Sequence, residues 1–376
     1  MKEFMNQSDQ VTHHVSNGGY YAYGVVMFFI LTVGFIGNIM TLVVLYQHEH
    51  RRRTMTPLML NLALADIFII VFGYPVAMQA NLRGMLLESS HCSWGGFVNG
   101  AVGISSIFTL TEMSVVSYYG LKRVNSSSRQ SASQVACLMG VAWIYGVLCM
   151  LPPLLGWNRF VLSASKISCC PDWSGKSASD TAYNLLLVFF GFFGPLTAMM
   201  ICYYKIYSLV HNVVVPGNLQ IQLRQRQSEL KIVKMTAMNV AAFLVSWAPY
   251  CCVSLVAVFT KTFMLEDWEA EIPELLAKAS VIYNPIIYTT MYRRFRATLF
   301  RLLHFRRRLI SPQIATVITR NHFSSRLAAD RPRGASSIDQ RYLQVPSQAM
   351  AKRGSVKNAS GATRTRWESS RIFVHG

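Results

Sequence analysis

The apolar positions of this chain neither alternate nor recur at a helical period; they run on. Seven stretches, near 22–46, 58–80, 92–119, 134–156, 182–210, 230–258 and 272–292, carry few charges. Each approaches the roughly 20 residues that cross a bilayer as a helix. The pattern predicts an all-α bundle of seven membrane-spanning helices. Pro, Gly and Ser interrupt several of them, which membrane helices tolerate because neighbouring helices satisfy the freed backbone groups. No repeat of about 20–50 residues is visible. The chain is polar up to Gly19 and its first apolar run is long enough to span, so no cleavable signal peptide is expected.

The polar segments between the runs differ in charge. Arg51-Arg52-Arg53, Lys122-Arg123, Arg224 to Lys234, Arg293 to Arg296 and Arg306-Arg307-Arg308 fall on one side of the seven-helix reading. Glu266, Asp267, Glu269 and Glu271 fall on the other. Basic loops stay cytoplasmic, so the N-terminus is expected outside and the C-terminus inside, in a multi-pass protein of the plasma membrane. After Tyr292 a basic, amphipathic segment reaching Leu303 suits a short helix lying on the inner membrane surface. From these shifts the chain divides into an outer segment, 1–21, a bundle with its surface helix, 22–303, and a Ser/Thr/Arg-rich tail, 304–376, expected to be disordered.

Composition agrees: 52% of residues are hydrophobic and 14% charged, against about a quarter charged in soluble domains. A net charge of +19 would ordinarily suggest nucleic acid, but its confinement to the inner side assigns it to the lipid membrane surface instead. Five of the eight cysteines (Cys137, Cys149, Cys202, Cys251, Cys252) fall inside helices, where Cys packs as a small apolar residue. Cys92 begins the third span, and Cys169 and Cys170 lie in the outer loop after the fourth. The outer side is oxidising, so either can bridge to Cys92. Asn6-Gln7-Ser8 is an outer glycosylation sequon.

Lys278 stands out within the last apolar run. An ammonium in a bilayer interior costs on the order of 3 kcal/mol on insertion scales, so such residues are functional by default. One use is covalent: the amine condenses with an aldehyde. The bland use is snorkelling, open to a lysine seven residues, or about 10 Å, from the outer end at Glu271.

The spans also carry landmarks: Gly37-Asn38; Leu62-Ala63-Leu64-Ala65-Asp66; Trp143; Pro195 with Tyr203; Trp247-Ala248-Pro249-Tyr250; and Asn284-Pro285-Ile286-Ile287-Tyr288. In this order and spacing they resemble the rhodopsin-like G-protein-coupled receptors across roughly 22–303. Lys278, seven residues before Pro285, matches the retinal attachment lysine of opsins. Cys169-Cys170-Pro171-Asp172-Trp173, Glu229 to Met235 and Phe243 to Tyr250 look like the neuropsin and peropsin branch of non-visual opsins. The resemblance implies retinal, 11-cis or all-trans, bound to Lys278. It implies a pocket that includes Trp247 and Tyr250, a Cys92–Cys169 disulfide, and G protein and arrestin as partners.

Two features depart from opsins. A buried imine cation needs an anion, yet the two usual opsin positions hold Gly95 and Ser163. Glu112 is twenty residues past Cys92, about 30 Å further in and therefore too deep. Glu274 is one turn from Lys278 on the same face and is the candidate counterion; its alternative role is a solvated acid of the outer cluster. At the inner end of the third span the family's acid-Arg-Tyr triplet is replaced by Val116-Ser117-Tyr118. That leaves Glu229, the usual partner of the arginine, without it. The expectation is a light-sensing, non-enzymatic opsin with weak coupling. The alternatives are a retinal photoisomerase and a receptor for a diffusible ligand in which Lys278 pairs with Glu274. Asn99, where amine receptors carry aspartate, argues against an amine.

Overall fold

The computed structural model describes residues 17–304, apart from 52, 84–88, 123–131, 165, 167, 212–219 and 266. Asn6 and the tail beyond 304 lie outside the described residues. Among the described residues, five stretches are long and apolar enough to cross a membrane on their own: Ala22–Leu45, Thr56–Gln79, His91–Lys122, Ala178–His211 and Arg226–Thr260.

The first span is α1 (Asn17–Leu45), followed by the short α2 (His48–Arg51). The second is α3 (Thr56–Phe68) and α4 (Tyr74–Arg83), joined by a π turn at Ile69–Gly73. The third is α5 (Ser89–Lys122), the fourth α6 (Ala132–Met150). The fourth is shorter than the 134–156 its apolar run predicts. Pro152 and Pro153 cannot continue an α-helix, so Pro152–Leu155 forms a 3₁₀ turn that ends at Gly156 with φ 91°. The outer loop then pairs β1 (Phe160–Leu162) with β2 (Cys169–Pro171), antiparallel, with Val161 opposite Cys170.

The fifth span is α7 (Ala178–Val188) and α8 (Gly194–His211) around a second π turn, Phe189–Phe193. Pro195 has no N–H for the carbonyl of Gly191, and the π turn lies where that bond is missing. The sixth, α9 (Gln220–Thr260), starts ten residues before the 230 predicted. Gln, Arg, Glu and Lys are good helix formers, so the helix outlasts its apolar run. The seventh is split at Ala279 into α10 (Asp267–Lys278) and α11 (Ser280–Met291). Residues 293–304 are helical, matching the predicted surface helix, here α12. On it Arg301 pairs with Glu49 at 2.9 Å, a guanidinium that holds the Glu49 carboxyl below its usual range.

Polar residues buried between the spans set their register. Asn38 donates to the carbonyls of Gly34 and Val281, both at 2.9 Å, tying α1 to α11. Asn61 donates to Thr109 and accepts from Trp143, each at 2.9 Å, which locks the second, third and fourth spans. Asn284 donates to Asp66 at 3.0 Å. Phe28, Phe29, Val245 and Phe259 point outward, as side chains facing lipid do.

Candidate functional site

At the end of the bundle that carries the β1–β2 hairpin lies a cavity of about 150 Å³, lined in part by β2. Its lining is mainly apolar, and its polar groups include Lys278, Glu274 and Ser168. Lys278 is the last residue of α10, where the helix turns at Ala279, and it is only 7% exposed. It does not snorkel. Its Nζ lies 3.2 Å from Glu274 Oε2, and Glu274 is 6% exposed. The solvated role for Glu274 is therefore excluded by its burial.

Glu274 has a further partner that sequence reasoning missed. Ser168 Oγ donates a short hydrogen bond to the same Oε2. Ser163 Oγ lies 3.2 Å from Ser168 Oγ, and Ser163 N donates to the Ser168 carbonyl at 2.9 Å. The position opsins use for a loop counterion thus holds a hydroxyl that reaches Glu274 through Ser168. Tyr23, buried on α1, acts electrostatically on both Lys278 and Glu274. Neither residue announces itself in the sequence: Ser168 is one hydroxyl in a serine-rich loop and Tyr23 one of three tyrosines at the start of the first span.

The rest of the predicted pocket comes together. Trp247 and Tyr250 line the cavity. Trp247 stacks on Phe243, with centroids 5.5 Å apart, and meets Tyr250 edge-on at 6.2 Å. A Cβ on Gly103 would sit 2.8 Å from the Trp247 ring, so only glycine lets α5 approach this close. Tyr250 accepts from Trp173 Nε1 at 3.1 Å, which fixes the loop over the cavity. Cys92 and Cys169 form a disulfide. Cys170 is a free, buried thiol in the cavity wall. Glu112 does not line the cavity, and its carboxylate oxygens have no hydrogen-bond partner among the described residues.

At the inner end Ser117 is 1% exposed. Tyr118 lies between the ammonium groups of Lys122 and Lys205, each about 6 Å from its ring centroid. Glu229 reaches the third span, with Oε2 3.1 Å from where a Cβ on Gly120 would be. Arg53, from the segment between the first two spans, lies close enough to Glu229 and Tyr292 to offer them a positive charge, which the sequence did not suggest. Tyr203 accepts from Ser114 at 3.5 Å. Tyr288 is fully buried beside Phe295, with Pro249 and Pro285 inside their helices.

The comparisons agree with this geometry. Residues 37–288 match the seven-transmembrane receptors of the rhodopsin family. Melanopsin-B of Xenopus laevis is 31% identical over 302 residues, 77% of this chain and 56% of that one. Rhodopsin of Lethenteron camtschaticum is 30% identical over 285 residues, 74% and 79% of the two chains. A rhodopsin of Mizuhopecten yessoensis named as Gq-coupled is 27% identical, covering 76% and 60%. The chain spans little more than half the length of the first melanopsins it matches. The crystal structure of squid rhodopsin superposes with a TM-score of 0.72 at 24% identity, over 77% of this chain and 87% of that one. On the match over 37–288 and the likeness to a rhodopsin along most of that relative's length, the chain belongs to the rhodopsin family of seven-transmembrane receptors.

Proposed function

We propose that this chain is a light-sensing opsin that carries retinal on Lys278, with Glu274 as counterion. One observation carries the reading: a buried lysine and a buried carboxylate, 3.2 Å apart, line a mainly apolar cavity. Such a cavity suits a long apolar ligand with a reactive end. When bound, retinal supplies an aldehyde that condenses with the Lys278 amine and a polyene that light isomerises. The chain's own residues do the remainder. Glu274 offsets the positive charge at Nζ, and the low polarity around it strengthens that attraction. Trp247, Tyr250 and Trp173 shape the apolar wall, and Cys169, Cys170 and Pro171 of the hairpin line it as well. The matched relatives are named as rhodopsins and melanopsins, which favours a photoreceptor over a photoisomerase. The orientation follows the basic inner loops, with the N-terminus extracellular and the C-terminus cytoplasmic. Absorbance of protein purified with 11-cis- and all-trans-retinal, followed by borohydride trapping, tests the reading. A receptor for a diffusible ligand would show no retinal-dependent band and no trapped adduct.

A heterotrimeric G protein, with arrestin, is the expected partner, but coupling should be weak. The usual arginine offers a fixed charge and five donors; Ser117 offers one buried hydroxyl. A lost charged hydrogen bond is worth roughly a factor of ten or more. Glu229 already reaches Gly120, one turn from Ser117, so an arginine at 117 could meet it. Ser117→Arg should raise light-driven second-messenger output about tenfold over wild type. A wild-type response as large as that of a conventional melanopsin would refute weak coupling.

A further inference from the structure

We infer that Ser168 is a positioning residue: it donates its hydroxyl hydrogen to Glu274, holds that carboxylate toward Lys278 Nζ, and takes its own place from the Cys92–Cys169 disulfide beside it. The inference rests on Glu274 being the counterion. Ser168 is buried, 106 residues from Glu274 in sequence, and adjacent to the cysteine that is tied to α5. A serine hydroxyl has one hydrogen to give. Since Glu274 receives it, the 3.2 Å contact with Ser163 runs the other way, with Ser163 donating to Ser168. The result is a directed chain, Ser163 to Ser168 to Glu274, in which each bond polarises the next. It ends on the oxygen that faces Nζ.

Two consequences follow. A hydrogen bond donated to a carboxylate favours its ionised form, so removing the Ser168 hydroxyl is expected to weaken the counterion beside Nζ. The geometry also divides the counterion between two elements: the charge sits on α10, but the group that aims it belongs to a loop tethered to the third span. Other groups share this corner and set the background. Tyr23 comes from α1 and Glu271 from α10, Cys170 and Asp172 from the loop, and Tyr250 from α9.

The test is the pH profile of the visible absorbance band in wild type, Ser168→Ala, Ser168→Thr and Glu274→Gln, all loaded with retinal. In Ser168→Ala the band should vanish at a pH about one unit lower than in wild type. Ser168→Thr keeps the hydroxyl and should restore the wild-type profile. Adding Ser168→Ala to Glu274→Gln should produce no further shift. A second readout needs no retinal: the infrared band of protonated carboxyl that Glu274→Gln removes should appear at higher pH in Ser168→Ala. Should Ser168→Ala fail to fold, Ser163→Ala should move both readouts in the same direction by less. A Ser168→Ala profile equal to wild type, with Glu274→Gln still shifted, overturns the role of Ser168 and leaves the counterion standing. An unshifted Glu274→Gln overturns the counterion reading itself.

Discussion

Lys278→Ala is expected to abolish the retinal adduct completely. No other lysine lines the cavity among the described residues, and the amine at 278 is held at its polar end. Lys278→Arg should fail as fully, since a guanidinium stays protonated and does not condense with an aldehyde. The structure adds a stability effect. Removing one member of a buried pair leaves the other charge uncompensated, which costs on the order of 3 kcal/mol. Lys278 and Glu274 are 8% and 6% exposed at their side chains, so the retinal-free Lys278→Ala protein should melt well below wild type. Lys278→Met with Glu274→Gln removes both charges and should recover much of that loss. Borohydride trapping with peptide mapping checks the adduct, and melting in detergent checks the pair. An adduct that survives in Lys278→Ala would end the opsin reading.

Glu274→Gln should move the pigment from visible to ultraviolet absorption near neutral pH. In wild type the carboxylate lies 3.2 Å from Nζ, so on the proposed reading the positive charge there is favoured and a visible band is expected. The amide has the same shape and no charge. Without the anion, burial disfavours the cation, and the sign is fixed: the visible band must vanish at lower pH. An opposite charge at this distance moves such a midpoint by about 1–3 units, more than the single unit expected for Ser168→Ala. The measurement is absorbance of wild type and Glu274→Gln from acid to alkaline pH. A band indifferent to the substitution would pass the role to Glu271, which shares the same corner. Asp66 is a poor substitute, since it is engaged by Asn284 at 3.0 Å and does not line the cavity.

How much of this was legible beforehand depended on whether the signal was local. Pro195 marks the irregular turn in the fifth span because proline lacks a donor wherever it sits. The fourth span was read too long and the sixth too short. Apolar counting cannot see that Pro152 and Pro153 stop a helix, or that Gln220 to Glu229 continue one beyond the bilayer. The choice between Cys169 and Cys170 rested on resemblance alone. In the fold the two successive strand residues face opposite sides: Cys169 is bonded to Cys92, and Cys170 stays a free, buried thiol.

By itself the sequence determined a seven-helix membrane bundle, the family landmarks and a lysine within the last span. Run length, composition and spacing along one helix express these directly. Whether Glu274 faced water or Lys278 was decided only by the tertiary structure. An i,i+4 pair shares a helix face, but what that face meets depends on distant elements. Here it meets Ser168 from a loop 106 residues away and Tyr23 from the first span. A contact between residues so far apart leaves no periodic trace in the chain; it exists because the disulfide and the hairpin bring that loop over the end of α10.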